Sequence, residues 1–272
     1  MPDKPLLYEL KEGNVAVVTL NRPHRLNALS SDLVEEFMKV LDDAERNDDV
    51  RALVLTGSPR PDGRPCFSAG KDLKEMNEEG EALTDEDILR TMWLMAEDFD
   101  KRQPLIYRYY TLTKPTIAAI DGICTAGGLE LALCSDLRVA STTARISDLH
   151  MKNLGMLGGS GLQTFLPRAV GLMRAKEIAW LNEEMNGEEA LRIGFVCRVF
   201  PPEQLLEGVL GMARKLASHP PLAMKFSKMT MNAALNQGTY DSLRFSGLSD
   251  VILRYFHAND FAGALEAFSQ RK

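Results

Sequence analysis

Glu130 lies three residues beyond Gly127 in the run Ile120-Asp-Gly-Ile-Cys-Thr-Ala-Gly-Gly-Leu-Glu-Leu-Ala-Leu-Cys-Ser-Asp136, a spacing that puts a carboxylate beside a glycine turn. A β-rich stretch, Thr116–Ile120, breaks at Asp121-Gly122. The chain then reaches Ala126-Gly127-Gly128 and enters an apolar helix at Leu129. Glycines at such a strand-to-helix corner give the backbone φ values denied to other residues and let a ligand come close. The first amides of a helix have no acceptor within it and point outward with the positive end of its dipole. Amides of that kind hold developing negative charge, so a carboxylate in the same short turn points to acid–base chemistry beside an activated carbonyl. Taken alone, the same residues also describe a glycine packing corner with a surface glutamate.

Other chemistries find little support. His24, His150, His219 and His257 form no H-x-x-x-H pair, which argues against a zinc site, and no metal is expected. Gly158-Gly-Ser-Gly161 has Leu162 where a nucleophile elbow needs its second glycine, so Ser160 reads as a helix N-cap. Gly70-Lys71 is followed by Asp72 rather than Ser or Thr, and the glycines from Gly155 to Gly161 do not keep dinucleotide spacing. No redox cofactor is indicated. Cys66, Cys124, Cys134 and Cys197 lack paired metal-type spacing and read as free thiols of a reducing compartment.

These residues must be positioned by an ordinary globular core: 45% of the 272 residues are hydrophobic and 26% charged. A net charge of -6 argues against a general nucleic-acid binder, although a few local cations suffice to grip a small anion. Asp121, Glu130 and Asp136 interrupt the best apolar run, so no membrane span is expected. The start, Met1-Pro-Asp-Lys-Pro5, lacks a signal pattern, and the expected location is cytoplasmic.

Periodicity predicts a hairpin of Leu6–Leu10 and Val15–Leu20 around Glu12-Gly13-Asn14. Ser30 or Ser31 would cap a helix with apolar positions Leu33, Val34, Phe37, Val40 and Leu41. Strands follow at Ala52–Thr56, Thr116–Ile120, Leu137–Ala140 and Val196–Val199, with helices around Ile88–Phe99, at Glu130 and over Gly161–Ala169. The polar loop Gly80–Asp85 reads as exposed near the site mouth. Beyond Pro202 the pattern is helical: Leu205–Ala217, Ala223–Leu235 and Tyr240–Phe256.

Landmarks recur in order along nearly the whole chain. They are Asn21-Arg-Pro23 with Leu26-Asn-Ala-Leu29, Phe67-Ser-Ala-Gly-Lys-Asp-Leu-Lys-Glu-Met76, Lys114-Pro-Thr-Ile-Ala-Ala-Ile-Asp-Gly122 and the Gly127–Asp136 turn. Leu166-Pro-Arg-Ala-Val-Gly171, Glu189–Val199, His219-Pro-Pro-Leu-Ala223 and Asn259–Phe268 complete them. By these segments the sequence resembles the crotonase family, the enoyl-CoA hydratase/isomerase superfamily. The resemblance implies an α/β fold, a crotonase-like spiral of β-β-α units over residues 1–200. It implies a helical trimerisation region over 201–272, and a homotrimer or dimer of trimers.

The resemblance also implies a coenzyme A thioester substrate, with no tightly bound cofactor. The thioester oxygen would lie between the backbone N–H groups of Lys71 and Gly127, and Gly128 would contribute to substrate binding. Ala69, Asp72, Leu73 and Lys74 would line the adenine and pantetheine path. Arg25, beside His24, stands where the family often carries a cation for the cofactor phosphates; Arg22 is assigned a structural hydrogen-bonding role. The Lys71 side chain reads either as reaching a phosphate or as a solvated charge.

In the family's hydratases one glutamate activates water and a second delivers a proton to the α-carbon. Glu130 matches the first. The second stands fourteen residues beyond the aspartate that aligns with Asp136 and four before a glycine that aligns with Gly155. Counting forward reaches His150 and counting back reaches Met151, and Asp148 is the only carboxylate in Ile146–Gly161. His150 is expected either to take over proton transfer, as an imidazole that titrates near neutrality, or to pack at the pocket edge. Met151 would make the acyl pocket apolar, and Asp148 would need a bulge to enter it. The leading expectation is hydration of an enoyl-CoA with Glu130 as main acid–base residue. The alternatives are another enolate reaction (decarboxylation, ring or thioester hydrolysis) and a non-catalytic acyl-CoA-binding protein.

Overall fold

Strand β2 (Val15–Leu20) is buried along almost its whole length, the mark of a strand covered on both faces. Because side chains alternate across a strand, its residues divide between two cores. Ala16, Val18 and Leu20 join Leu53, Leu55, Ala118 and Ile120 in the larger one. Val15 and Val17 join Ala52, Val54, Ile117, Ala119 and Val139 in the smaller. In this computed structural model, which describes residues 4–72, 86, 89 and 105–256, that division organises the molecule.

Among the described residues the main sheet has six strands in the order β1-β2-β3-β5-β7-β9. Here β1 is Leu6–Lys11, β3 Ala52–Gly57, β5 Thr116–Ile120, β7 Leu137–Ser141 and β9 Arg198–Phe200. Only β1 runs antiparallel to its neighbour, in the expected hairpin, where Gly13 (φ 83°) and Asn14 (φ 62°) make the turn. The helix Ser31–Arg46 buries Leu33, Phe37, Leu41 and Ala44 along one stripe. Ser30 precedes it as N-cap residue, without a side-chain cap bond.

A second sheet was not foreseen. Its strands β4 (Cys66–Ser68), β6 (Ile123–Thr125) and β8 (Arg145–Ser147) have three residues each and pair in parallel in that order. Runs of three residues are too short for periodicity to be read. Each follows a long strand of the main sheet, so β3–β4, β5–β6 and β7–β8 are three successive turns of a β-β-α spiral. Short helices Leu172–Leu181 and Gly187–Arg192 were also missed, although Asn186 and Glu189 form a capping box that is legible in sequence. The last strand begins two residues later than expected because Val196 is buried in the preceding turn, where its N–H bonds Ala190 O.

The helix Pro202–Ala217 lies beyond the expected boundary at residue 200, yet it closes the smaller core. Leu205, Val209, Leu210, Ala213 and Ala217 are buried on the sheet face carried by Val15, Val17 and Val54. Its partner surface is therefore its own chain. The next helix, Pro221–Ala234, is tied to the sheet through Lys228, whose Nζ lies 2.8 Å from Asp136 Oδ2 and 3.2 Å from Lys114 O. Helix Thr239–Phe256 follows, and of its residues only Ser249 is buried. The loop Gly80–Asp85, most of the helix around Ile88–Phe99 and the landmark Asn259–Phe268 fall outside the described residues, while Leu89 is helical. Among the described residues no helix is long and apolar enough to cross a membrane.

Candidate active site

The short sheet is what assembles the site. The chain leaves β4 into Ala69-Gly70-Lys71, leaves β6 into Ala126-Gly127-Gly128, and leaves β8 into Asp148-Leu149-His150. Three parallel strands thus deliver three distant segments at their carboxyl ends, the usual position of a site built on parallel strands.

The first two segments meet backbone to backbone. A Cβ on Gly70 (φ +91°) would stand 2.6 Å from the Gly127 nitrogen, and one on Gly127 would stand 3.4 Å from the Lys71 nitrogen. The chain at Lys71 is anchored by a bridge to Leu29, whose N–H bonds Gly70 O at 2.8 Å. Gly127 is the first residue of the helix Gly127–Leu133, so its N–H has no acceptor within that helix. The amides of Lys71 and Gly127 are therefore brought side by side. The positive φ at this corner belongs to Ala126 (φ 49°, ψ -125°) and not to the glycines. That corrects the φ part of the expected role of Gly127 and Gly128 and leaves the close-approach part: a Cβ on Gly128 would meet Ser68 O at 2.3 Å, and one on Gly127 would press on Gly70 Cα at 3.3 Å. An alanine at positive φ is a strained residue, held by the structure on both sides.

Glu130 is 2% exposed, on the first turn of that helix. It is not the surface glutamate of a packing corner. Its Oε1 accepts from the amides of Ser160 (2.8 Å) and Leu162 (3.1 Å). Burial raises its pKa, opposed by the Leu162 amide, His150 and the Ser160 amide. These two amides were missed in the sequence, where Ser160 reads as an N-cap. The helix Leu162–Val170 instead has Gly161 at its N-cap position, with no side-chain cap bond. The signal was the glycine density of Gly158–Gly161. A Cβ on Gly158 would stand 3.0 Å from Glu130 Oε1 and 2.6 Å from Leu162 Cβ, so glycine there admits the carboxylate.

His150 opens the helix His150–Leu154 and turns its ring toward Glu130, with Nε2 3.8 Å from Glu130 Oε2. Met151, the other candidate for this position, is 40% exposed and is not drawn into the contact. Behind the ring, Nδ1 lies 2.6 Å from Asp148 Oδ1, and the same oxygen accepts the His150 amide at 3.2 Å. Asp148 is 2% exposed. Burial opposes charge on the imidazole, but the Asp148 hydrogen bond and the pull of Glu130 and Asp148 outweigh it. The His150 pKa is accordingly raised.

A cavity of about 360 Å³ lies beside Lys71, lined by His24, Arg25, Leu26, Ala28, Ala69, Lys71 and Asp72. Five of these residues bear on the expected substrate path, so Arg25 and His24 do meet Ala69, Lys71 and Asp72. The Asp72 carboxylate is paired with Arg22 at 2.8 Å, and Arg22 also bonds Ala28 O at 2.9 Å. Asp72 thus shapes the wall while Arg22 braces it. Leu73 and Lys74 lie outside the described residues.

Comparisons with known proteins give one answer. A family model described as enoyl-CoA hydratase/isomerase matches residues 10–272. A short-chain-enoyl-CoA hydratase of Clostridium acetobutylicum is 35% identical over 266 residues, which cover 96% of this chain and 94% of that protein. A solved enoyl-CoA hydratase from Bacillus anthracis superposes with a TM-score of 0.84 at 27% identity, over 98% of this chain and 97% of that one. A solved enoyl-CoA hydratase/isomerase from Cupriavidus metallidurans CH34 gives 0.84 at 28% identity, over 98% and 94%.

Proposed function

The chain belongs to the enoyl-CoA hydratase/isomerase family, and on that premise we propose that it adds water across the conjugated double bond of an enoyl-CoA thioester. The observation that carries this reading is the buried Glu130, with one oxygen held by two amides and the other facing His150. A carboxylate fixed in that way has one oxygen left for a water molecule.

The thioester oxygen lies between the amides of Lys71 and Gly127, which stabilise the charge that develops on it. Water attacks the β-carbon and gives a proton to Glu130, leaving an enolate. His150, charged, then gives the proton from Nε2 to the α-carbon. The proton held by Glu130 returns to His150, separated from it by 3.8 Å in the unliganded site, and both groups are restored. One water is consumed and no other reactant is needed. Arg25 and Lys71 supply positive charge for the coenzyme A phosphates, while the main chain at Ala69 and Gly128 borders the thioester arm. No further bound cofactor takes part. Met151, exposed beside the site, contributes to the acyl pocket only once substrate covers it.

The exposed helix Thr239–Phe256 supports assembly as a homotrimer or dimer of trimers, and we assign the enzyme to the cytoplasm and to fatty acyl metabolism. The decisive experiment incubates the purified protein separately with an enoyl-CoA, a β-ketoacyl-CoA and a malonyl-type CoA and reads the products by mass spectrometry. The expected result is gain of one water on the enoyl-CoA. Loss of carbon dioxide or of free coenzyme A, without hydration, would overturn the reading in favour of another enolate reaction. No change in any of the three would favour a binding protein.

A further inference from the structure

We propose that Asp148 is a positioning residue: through its grip on Nδ1 it holds His150 in the tautomer whose free nitrogen faces Glu130, and so makes an imidazole serve in place of a second carboxylic acid. This deepens the hydration reading and rests on it.

Asp148 is 2% exposed and turned to His150. Its buried Oδ1 takes two donors from one residue, the backbone N–H of His150 at 3.2 Å and ring Nδ1 at 2.6 Å. A carboxylate oxygen only accepts, so Nδ1 is the protonated nitrogen. The contact also fixes the ring plane, because the two donors lie on the same residue and share one acceptor. Nε2 is then left to face Glu130 Oε2. In the neutral ring Nε2 is bare and accepts the proton that Glu130 has taken from water. In the charged ring Nε2 carries the proton that is handed to the α-carbon. The opposite neutral tautomer fails, since its protonated Nε2 cannot accept the proton from Glu130 and its bare Nδ1 would face the Asp148 carboxylate. A carboxylate behind a histidine works in this way in other acid–base sites, by orientation and by support of the imidazolium. Among the described residues, the charged groups acting on the ring are Asp148 and Glu130.

The test joins kinetics with a direct reading of the ring. In Asp148→Asn the substituted side chain has the same size but no longer enforces Nδ1–H. The expected result is a fall in kcat of roughly 10–100-fold with KM nearly unchanged. The alkaline limb of the pH profile should move to lower pH, and activity should partly recover at acid pH, where both ring nitrogens are protonated and the tautomer no longer matters. In a background of His150→Gln, the same change should add little. An unchanged profile, or a loss that adds in full to that of His150→Gln, would overturn the proposal. If the variant does not fold, nitrogen-15 spectra of the unmodified protein decide the matter. The neutral ring of His150 should be protonated at Nδ1, and protonation at Nε2 would overturn it. The spectroscopic arm needs no turnover, so failure of the hydration reading is distinguishable from failure of the tautomer.

Discussion

At the scale of single residues, Glu130 carries a conflict between stability and chemistry. Its folded-state pKa is raised, with burial as the leading cause. A group shifted in that direction contributes its stability below the unfolded pKa and loses it as pH rises through the folded value. Ionised Glu130 is therefore a burden near neutrality. In Glu130→Gln the amide oxygen still accepts from Ser160 and Leu162 but exchanges no proton. We expect kcat to fall by about 10²–10⁴-fold with acyl-CoA affinity within a few-fold. We also expect the variant to melt above the unmodified protein at neutral pH, with the advantage fading as pH falls and Glu130 takes up its proton. Paired steady-state and thermal-melt series across pH check both; a variant less stable at neutral than at acid pH, relative to the parent, contradicts the assignment. The active range has opposing limits: a raised Glu130 pKa brings in the acid limb early, and a raised His150 pKa carries the alkaline limb past the ordinary imidazole range.

At the scale of elements, the site depends on how closely backbone segments approach one another. Gly158 packs where a Cβ would stand 2.6 Å from Leu162 Cβ, a backbone-proximal atom that cannot swing away. Gly158→Ala is expected to push the Glu130 carboxylate off its two amides. Misplacement of a reacting group by about 1 Å costs on the order of 10²-fold in rate, while overpacking costs about 1–3 kcal/mol. Kinetics and denaturant unfolding measured together should show the rate loss out of proportion to the stability loss. A second element-level link is the pair Lys228–Asp136, which ties the helix Pro221–Ala234 to the sheet. Lys228→Met leaves the Asp136 carboxylate with the Thr116 N–H at 2.8 Å and the Thr116 hydroxyl at 3.0 Å. Because these donors remain and the Asp136 side chain is 23% exposed, we expect about 2 kcal/mol, below the cost of stranding a fully buried charge. Urea unfolding of the variant gives the value, and a neutral result would mean the helix is held by apolar contacts alone.

At the scale of the whole molecule, the helix Thr239–Phe256 carries, among the described residues, a long run of uncovered apolar side chains. Tyr240 (75% exposed), Leu243 (69%), Val251 (62%) and Tyr255 (80%) face outward on it. An exposed apolar stretch of this kind is what a subunit interface would cover. The unmodified protein is expected to scatter light as a trimer or hexamer at micromolar concentration. Leu243→Asp combined with Val251→Asp should shift it to smaller species, and a parent protein that is monomeric under the same conditions would refute the assembly. The helix Pro202–Ala217 belongs to a different category. Its apolar stripe is satisfied by its own sheet, so substitutions such as Val209→Asp should unfold the chain rather than dissociate it.

Much of this protein was legible in the sequence alone. The long strands and most long helices follow from periodicity, because a residue's neighbours two or three to four places away determine which face it shares. The acidic partner of the glycine turn was legible too, since Gly127 and Glu130 sit on one helical turn. What sequence left open were contacts between segments far apart in the chain. The three-residue strands β4, β6 and β8 carry no period of their own and exist only because each pairs with another. The Ser160 and Leu162 amides reach Glu130 across about thirty residues of chain, and no side-chain pattern announces a backbone donor. Counting from Asp136 or from Gly155 gave two registers for the second acid, His150 or Met151, because spacing alone says nothing of which way a short helix is turned. The tertiary structure turned it: the burial of Asp148 and its hold on Nδ1 swing the His150 ring toward Glu130, while Met151 stays at the surface.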